Sequence, residues 1–337
     1  MSADKAVLSL PRAWAAPAAR GLIRARNEDF RVEEVLDFAP SGDGEHVWLH
    51  VRKDGANTQY VADAIAAWAG VGSRDVGYAG LKDRHAISDQ WFSVYMPGKA
   101  TPSWRALEHL DHCSLQILMA TRHRKKLIKG AHAGNRFQLR VSGLEIDSQP
   151  RLTETLQQIM HHGVPNAFGP QRFGIDGGNI SAAEAWFGGG RRPRNRQQRG
   201  LILSAARSWL FNLVLAERIR AGSWRHCLVG EWSTQTRAGE SVPTGPLFGR
   251  GKSYAQGLAG AIEAQVSTAH ADWITALCNA GLSLNRRRLC SRPRQFTWQF
   301  NDQHSALDIS FYLPRGEYAT SVLDACIELR DVAQTRA

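Results

Sequence analysis

Two-residue hydrophobic alternation marks both ends of this chain and disappears from its middle. Phe30 and Val32 fall on one strand face, with Arg31 and Glu33 on the other. Towards the end, Leu307, Ile309, Phe311 and Leu313 alternate with Asp308, Ser310 and Tyr312. Between them the period becomes helical, with a long amphipathic run from Leu201 to Arg220 stopped by Gly222, then helices over 254–267 and 269–280. Strand-rich ends around a helix-rich centre predict one domain inserted into another, and 337 residues suffice for two domains and a substantial core.

Shorter elements fill in the frame. Strands are expected over 45–52, 76–80, 90–96, 114–120 and 134–140. Asn57-Thr58 caps a helix on which Val61, Ile65 and Trp68 share a face, and Gly70 ends it. Another helix, with Leu152, Leu156 and Ile159 on one side, leads to Gly163, where a glycine-punctuated aromatic loop runs to Gly174. Residues 1–20, rich in Ala, Pro and Arg, read as extended or partly loose.

Several function classes drop out. His46 and His50 are four apart, which on a helix would suit a metal, but their β-branched, alternating context makes them strand residues. Residues 245–253 resemble a phosphate loop, yet Pro246 stands where its first glycine belongs and no hydrophobic strand precedes it, so nucleotide-triphosphate binding is rejected. Five cysteines, odd in number and far apart, fit reduced thiols in a cytoplasm. Pro11, Arg12 and Pro17 interrupt any signal-peptide core, and no apolar run approaches membrane-spanning length, so a soluble, cytoplasmic protein is expected.

Charge points to a partner. With 42 basic and 31 acidic residues the net charge is +11, which favours a polyanion, nucleic acid before a membrane surface. Two basic stretches stand out: Arg122, Arg124, Lys125, Lys126 and Lys129, and the loop with Arg191, Arg192, Arg194, Arg196 and Arg199. A charge run is ordinarily a solvated face; in a basic protein these are also candidate phosphate contacts.

The most chemically suggestive loop is Gly80-Leu81-Lys82-Asp83-Arg84-His85, held between two strands. A carboxylate nucleophile must stay anionic where water is kept out, and burial works against that. Lys82, Arg84 and His85 around Asp83 would oppose the effect. On those four residues alone, a solvated loop with a surface ion pair accounts for the pattern better than a nucleophile does.

Four segments, taken together, shift that balance. Glu28-Asp29-Phe30, Gly80–His85 with Gln90-Trp91, Gly134-Asn135-Arg136-Phe137, and Val164-Pro165-Asn166-x-Phe168-Gly169-x-Gln171-Arg172-Phe173-Gly174 resemble the TruD family of tRNA pseudouridine synthases. The tail Leu313-Pro314-x-Gly316-x-Tyr318-Ala319-Thr320-Ser321-Val322 fits too, so the likeness spans nearly the whole chain in order. The resemblance implies an α+β fold: a pseudouridine-synthase-like catalytic domain with a mostly antiparallel mixed sheet over 1–162 and 292–337, and an inserted TruD-type α/β domain over 163–291. It implies Asp83 as the catalytic aspartate. Phe30, Asn135 and Tyr318 would contact the target uridine or arrange that aspartate, and Phe137 would stack near the base. Arg24, also implied as a substrate-binding residue, stands where the family commonly has lysine, and Tyr318 where it commonly has phenylalanine. Lys82 and Arg84 join the basic stretches as RNA-backbone candidates.

The implied substrate is uridine-13 in the D-stem region of certain tRNAs, turned over by a monomer with no cofactor. Isomerising uridine gains no atom or electron, so the requirements are an anionic nucleophile, a dry pocket and a held, flipped-out base. A non-catalytic RNA-binding or RNA-folding protein on the same scaffold is the alternative, and it would be expected to lose the acid. A metal-free hydrolase lacks a partnered second carboxylate at any recognisable spacing.

Overall fold

The computed structural model describes residues 10–109, 113–236, 239–301 and 305–335; the first nine residues of the expected loose stretch lie outside them. The chain forms two compact units, one of Ala18–Leu152, Pro293–Glu317 and Ile327–Ala337, the other of Met1–Pro17, Thr153–Arg292 and Tyr318–Cys326.

The first unit holds a ten-stranded sheet: β1 (Ala19–Ile23), β2 (Phe30–Val35), β3 (His46–Asp54), β4 (Val76–Tyr78), β5 (Ile87–Tyr95), β6 (Ser114–His123), β7 (Gly134–Ile146), β8 (Arg294–Phe300), β9 (Ala306–Pro314) and β10 (Glu328–Asp331). Its main path runs β8-β9-β7-β2-β5-β3-β6, with β4 on β5 and β1 on both β7 and β10. The pairings are antiparallel except β2 with β5 and β1 with β10, as expected of a mostly antiparallel mixed sheet. β5 starts at Ile87, earlier than hydrophobicity suggested, because its buried face opens with the polar side chains of Ser88 and Gln90.

Helix α1 (Thr58–Ala69) begins where Asn57 accepts a hydrogen bond from the Tyr60 amide and ends at Gly70 in the left-handed region. Val61 and Ile65 bury against Val47, Leu49, Val51, Phe92 and Val94, a contribution of about 1.5–3 kcal/mol for each side chain. Trp68 departs from expectation: it is 48% exposed, off the shared face, and its indole N–H donates to the Ser103 carbonyl at 3.0 Å. His50 is a strand residue as expected, its ring stacked on Trp91 at 4.5 Å.

The second unit is built around a 25-residue helix. Helix α2 (Gln149–His162) begins in the first unit and continues into the second, followed by α3 (Gly178–Phe187), α4 (Arg196–Arg220), α5 (Gly257–Ala269), α6 (Ala271–Asn279) and α7 (Ala319–Leu323). The inner face of α4 sets Ile202, Trp209, Leu210, Phe211 and Val214 against Phe168, Phe173, Ile180, Val266 and Leu277. Three short antiparallel ribbons among the described residues complete it, Thr234–Gln235 with Ser241–Val242, Thr244–Leu247 with Asn285–Arg288, and Val164–Pro165 with Cys290–Ser291. Arg218 of α4 and Glu231 form an ion pair at 2.8 Å, both side chains buried.

Candidate active site

The Gly80–His85 loop joins β4 to β5, and its backbone is tied down by buried polar side chains. Gln90 Nε2 donates to the Gly80 carbonyl at 2.7 Å. Thr58 Oγ1 accepts from the Lys82 amide at 2.8 Å and donates to Gln90 Oε1 at 3.0 Å. Lys53 Nζ donates to the Asp83 carbonyl at 2.8 Å. The ties at Gly80, Lys82 and Asp83 each satisfy a backbone group and hold an irregular segment in one conformation.

The Asp83 carboxylate has two neighbours. Its Oδ1 accepts from the His85 amide at 3.1 Å, and its Oδ2 lies 3.3 Å from Arg24 Nη2. Arg24 is only 7% exposed, and its Nη1 pairs with Asp331. Its guanidinium sits 4.3 Å above the centroid of Phe30, and its backbone is left-handed at φ 57°, unusual for a non-glycine residue. The cation beside Asp83 is thus Arg24, 59 positions upstream, and not the flanking residues. Arg84 Nε donates to the Gly55 carbonyl, Lys82 turns to Glu34, and His85 contributes its amide. Asp83 is also more open than the expected water-poor slot, with 40% of its side chain exposed; a loop tied by its backbone leaves the carboxylate on the outer side.

Beside the loop lies a buried charge network. Lys82 Nζ donates to Glu34 Oε2 at 2.9 Å and to Asn135 Oδ1 at 2.8 Å. Glu34, on the buried face of β2, also accepts from the Trp91 amide at 3.3 Å. With Oδ1 engaged, the Asn135 amide nitrogen is the end left to donate elsewhere. Gly134 sets this residue in place, because a Cβ there would collide with the Leu313 carbonyl oxygen and the Tyr312 ring. Burial pushes the nearby His132 imidazole below its usual range, leaving it neutral at pH 7.

Phe30 and Phe137 meet edge to face at 6.3 Å, and Phe137 packs on Phe311 at 5.5 Å. Both are buried; in this structure Phe30 lies under Arg24 and Phe137 packs behind it. Tyr318 belongs to the helical unit. There its hydroxyl accepts from Arg172 Nη2 at 2.6 Å, and its ring neighbours Phe168 at 6.2 Å and the Arg287 guanidinium at 5.8 Å.

The basic stretches divide by whether their charges are already engaged. Arg124 pairs with Asp43 at 2.9 Å, Arg122 donates to the Met96 and Lys99 carbonyls, and Lys126 donates to the Arg74 carbonyl. Lys125 and Lys129 are exposed. Arg191, Arg192, Arg194 and Arg196 are exposed too, and no carboxylate among the described residues pairs with them. Instead of the expected loop, Arg196 and Arg199 lie in the first turn of α4, which Asn195 starts by accepting from the amides of Gln197 and Gln198. Arg192, Arg196 and Arg199 line a cavity of about 540 Å³ with Trp186 and Phe187.

Lys53, Thr58, Gln90 and Glu34 were missed by the sequence reading. The readable signal was polar residues on strand faces that are otherwise apolar: Lys53 follows Val47, Leu49 and Val51, and Gln90 precedes Phe92 and Val94.

The chain is also similar to known proteins. The sequence model of the tRNA pseudouridine synthase D (TruD) family matches residues 11–180 and 229–325. Proteins named tRNA pseudouridine synthase D are similar along nearly their full length. That of Methylococcus capsulatus is 44% identical over 340 residues, covering 95% of this chain and 94% of its own. That of Nitrosococcus oceani is 42% identical over 339 residues, covering 95% and 92%. The crystal structure of a Methanosarcina mazei protein, described as a candidate member of the same family, superposes with a TM-score of 0.67 over 95% of this chain and 96% of that one. Its 19% sequence identity makes this a likeness of fold.

Proposed function

The chain belongs to the tRNA pseudouridine synthase D family and is an isomerase acting on tRNA uridine; from that premise we propose that Asp83 is its nucleophile and a flipped-out uridine-13 its target. The observation that carries this reading is the Arg24–Asp83–His85 arrangement, a partly exposed carboxylate fixed by one buried guanidinium and one amide.

In the reaction the C1′–N1 bond breaks and a C1′–C5 bond forms. The C5 hydrogen leaves as a proton and N1 takes one up, so uridine and product are isomers. The carboxylate beside Arg24 is suited to meet the electron-poor C1′ side of the sugar once the base is drawn out of its stack. Extrusion costs a few kcal/mol, and aromatic stacking returns about 1–3 kcal/mol per base. Tyr318, Phe30 and Phe137 are the rings proposed to serve the base, and the Asn135 amide nitrogen, freed by Lys82, is a donor for a uracil carbonyl. The helical unit around 163–291, with the exposed Arg191, Arg192, Arg194 and Arg196, is proposed to hold the tRNA backbone by counterion release.

Mapping pseudouridine along unmodified tRNA transcripts after incubation with the protein tests the substrate. Modification confined to position 13 is expected. Modification elsewhere with position 13 untouched would overturn the assignment.

A further inference from the structure

Lys53 stands where the pattern of β3 calls for an apolar residue. Val47, Leu49 and Val51 precede it on the same buried face, and its side chain has no exposed surface. An ammonium group there is costly unless bonded, and a methionine of similar length would fill the space without that cost. Among the described residues no carboxylate lies within ion-pairing distance of Nζ. It donates instead to two carbonyls, those of Ala56 at 2.6 Å and Asp83 at 2.8 Å.

The charged and titratable groups facing it are Asp83 and Lys82 from the loop, Asp54 from the end of β3, and Cys113. Asp83 favours the cation and Lys82 opposes it. Burial outweighs both and brings the amine down to about 8. A neutral amine still carries two N–H bonds for the two carbonyls, so the clamp does not depend on the charge.

We infer that Lys53 is a positioning residue for the isomerisation, clamping the Asp83 main chain to the sheet so that the carboxylate stays aligned on Arg24. The inference rests on the reading of Asp83 as nucleophile. Without the clamp, the Asp83 carbonyl loses its bond into the sheet, while the ties at Gly80 and Lys82 hold only the upstream half of the loop. A displacement near 1 Å at the reacting group is enough to cost about 100-fold in rate.

The test is single-turnover conversion of a tRNA transcript by the full-length Lys53→Met and Lys53→Gln variants, with tRNA affinity and melting temperature measured alongside. The expected rate order is Lys, then Gln, which keeps a donor, then Met at about 100-fold below wild type, with tRNA affinity within about twofold. Melting temperature should not follow that order, because each substitution removes a buried charge. Rates within about threefold of wild type would overturn the inference, as would rate and melting temperature falling together. Failure of both variants to fold would assign Lys53 to the core alone. Normal turnover by Asp83→Asn would instead refute the nucleophile, whatever the Lys53 variants do.

Discussion

Arg24 bridges two carboxylates: one guanidinium nitrogen lies 3.3 Å from Asp83, while the other pairs with Asp331, 307 residues away in sequence. Strands β1 and β10 lie parallel with Ile23 opposite Asp331, and that register brings the pair together. The cation beside Asp83 is therefore fixed by the two ends of the sheet unit.

Replacing Arg24 by methionine removes the cation that joins Asp83 to Asp331. Conversion should fall by about 100-fold or more, in line with losing an oriented charge-assisted contact. Arg24→Lys keeps the charge but cannot reach both acids in a fork, so a smaller loss, about 10-fold, is expected. Steady-state tritium release from 5-tritiated uridine in tRNA reads both.

Glu34→Gln leaves the Lys82 ammonium without its buried counter-charge and loosens its hold on Asn135. Uncompensated buried charge costs about 3–5 kcal/mol, so the sheet unit should melt lower and turnover should fall with it. Asn135→Ala should instead leave melting close to wild type while slowing conversion. Thermal melts paired with rate measurements separate the two.

Much of this was legible in the sequence. Alternation at Phe30–Val35 and Leu307–Leu313 gave the sheet, and the Asn57 and Gly70 signals gave α1 to within a residue or two. The loop bearing Asp83 was readable as well. Its electrostatics were not, because the Lys-Asp-Arg-His string suggests local pairing, whereas Arg24 and Lys53 arrive by strand register. Trp68 and the start of α4 failed for a related reason: propensity and period give an element's face, but tertiary partners such as the Ser103 carbonyl decide the margins.

Lys53 also sets a pH dependence of stability. Its folded value, about 8, lies below the ordinary 10.5 because burial disfavours the charged form. Between those values the unfolded chain holds a proton that the folded chain lacks, so stability from this group rises with pH across the window, by at most about 3 kcal/mol. Below the folded value the cost is fully present. Urea unfolding of wild type and Lys53→Met at about pH 7.5 and about pH 10 should show the rise only in wild type.

In the helical unit, Arg218 and Glu231 are both buried and paired. Glu231→Gln strands the guanidinium and should destabilise this unit by about 3–5 kcal/mol, read by chemical denaturation. The exposed arginines behave differently. Converting Arg192 and Arg196 to alanine should weaken tRNA binding and reduce the salt dependence by about one unit of slope per residue. Arg124→Ala, whose charge already faces Asp43, should change that slope less.

The most direct test of the central claim is tritium release from 5-tritiated uridine in tRNA, wild type against Asp83→Asn, with tRNA affinity measured on the same preparations. Release by wild type, none by the variant, and affinity largely unchanged is the expected result. Full release by Asp83→Asn would contradict the assignment of that carboxylate as the nucleophile.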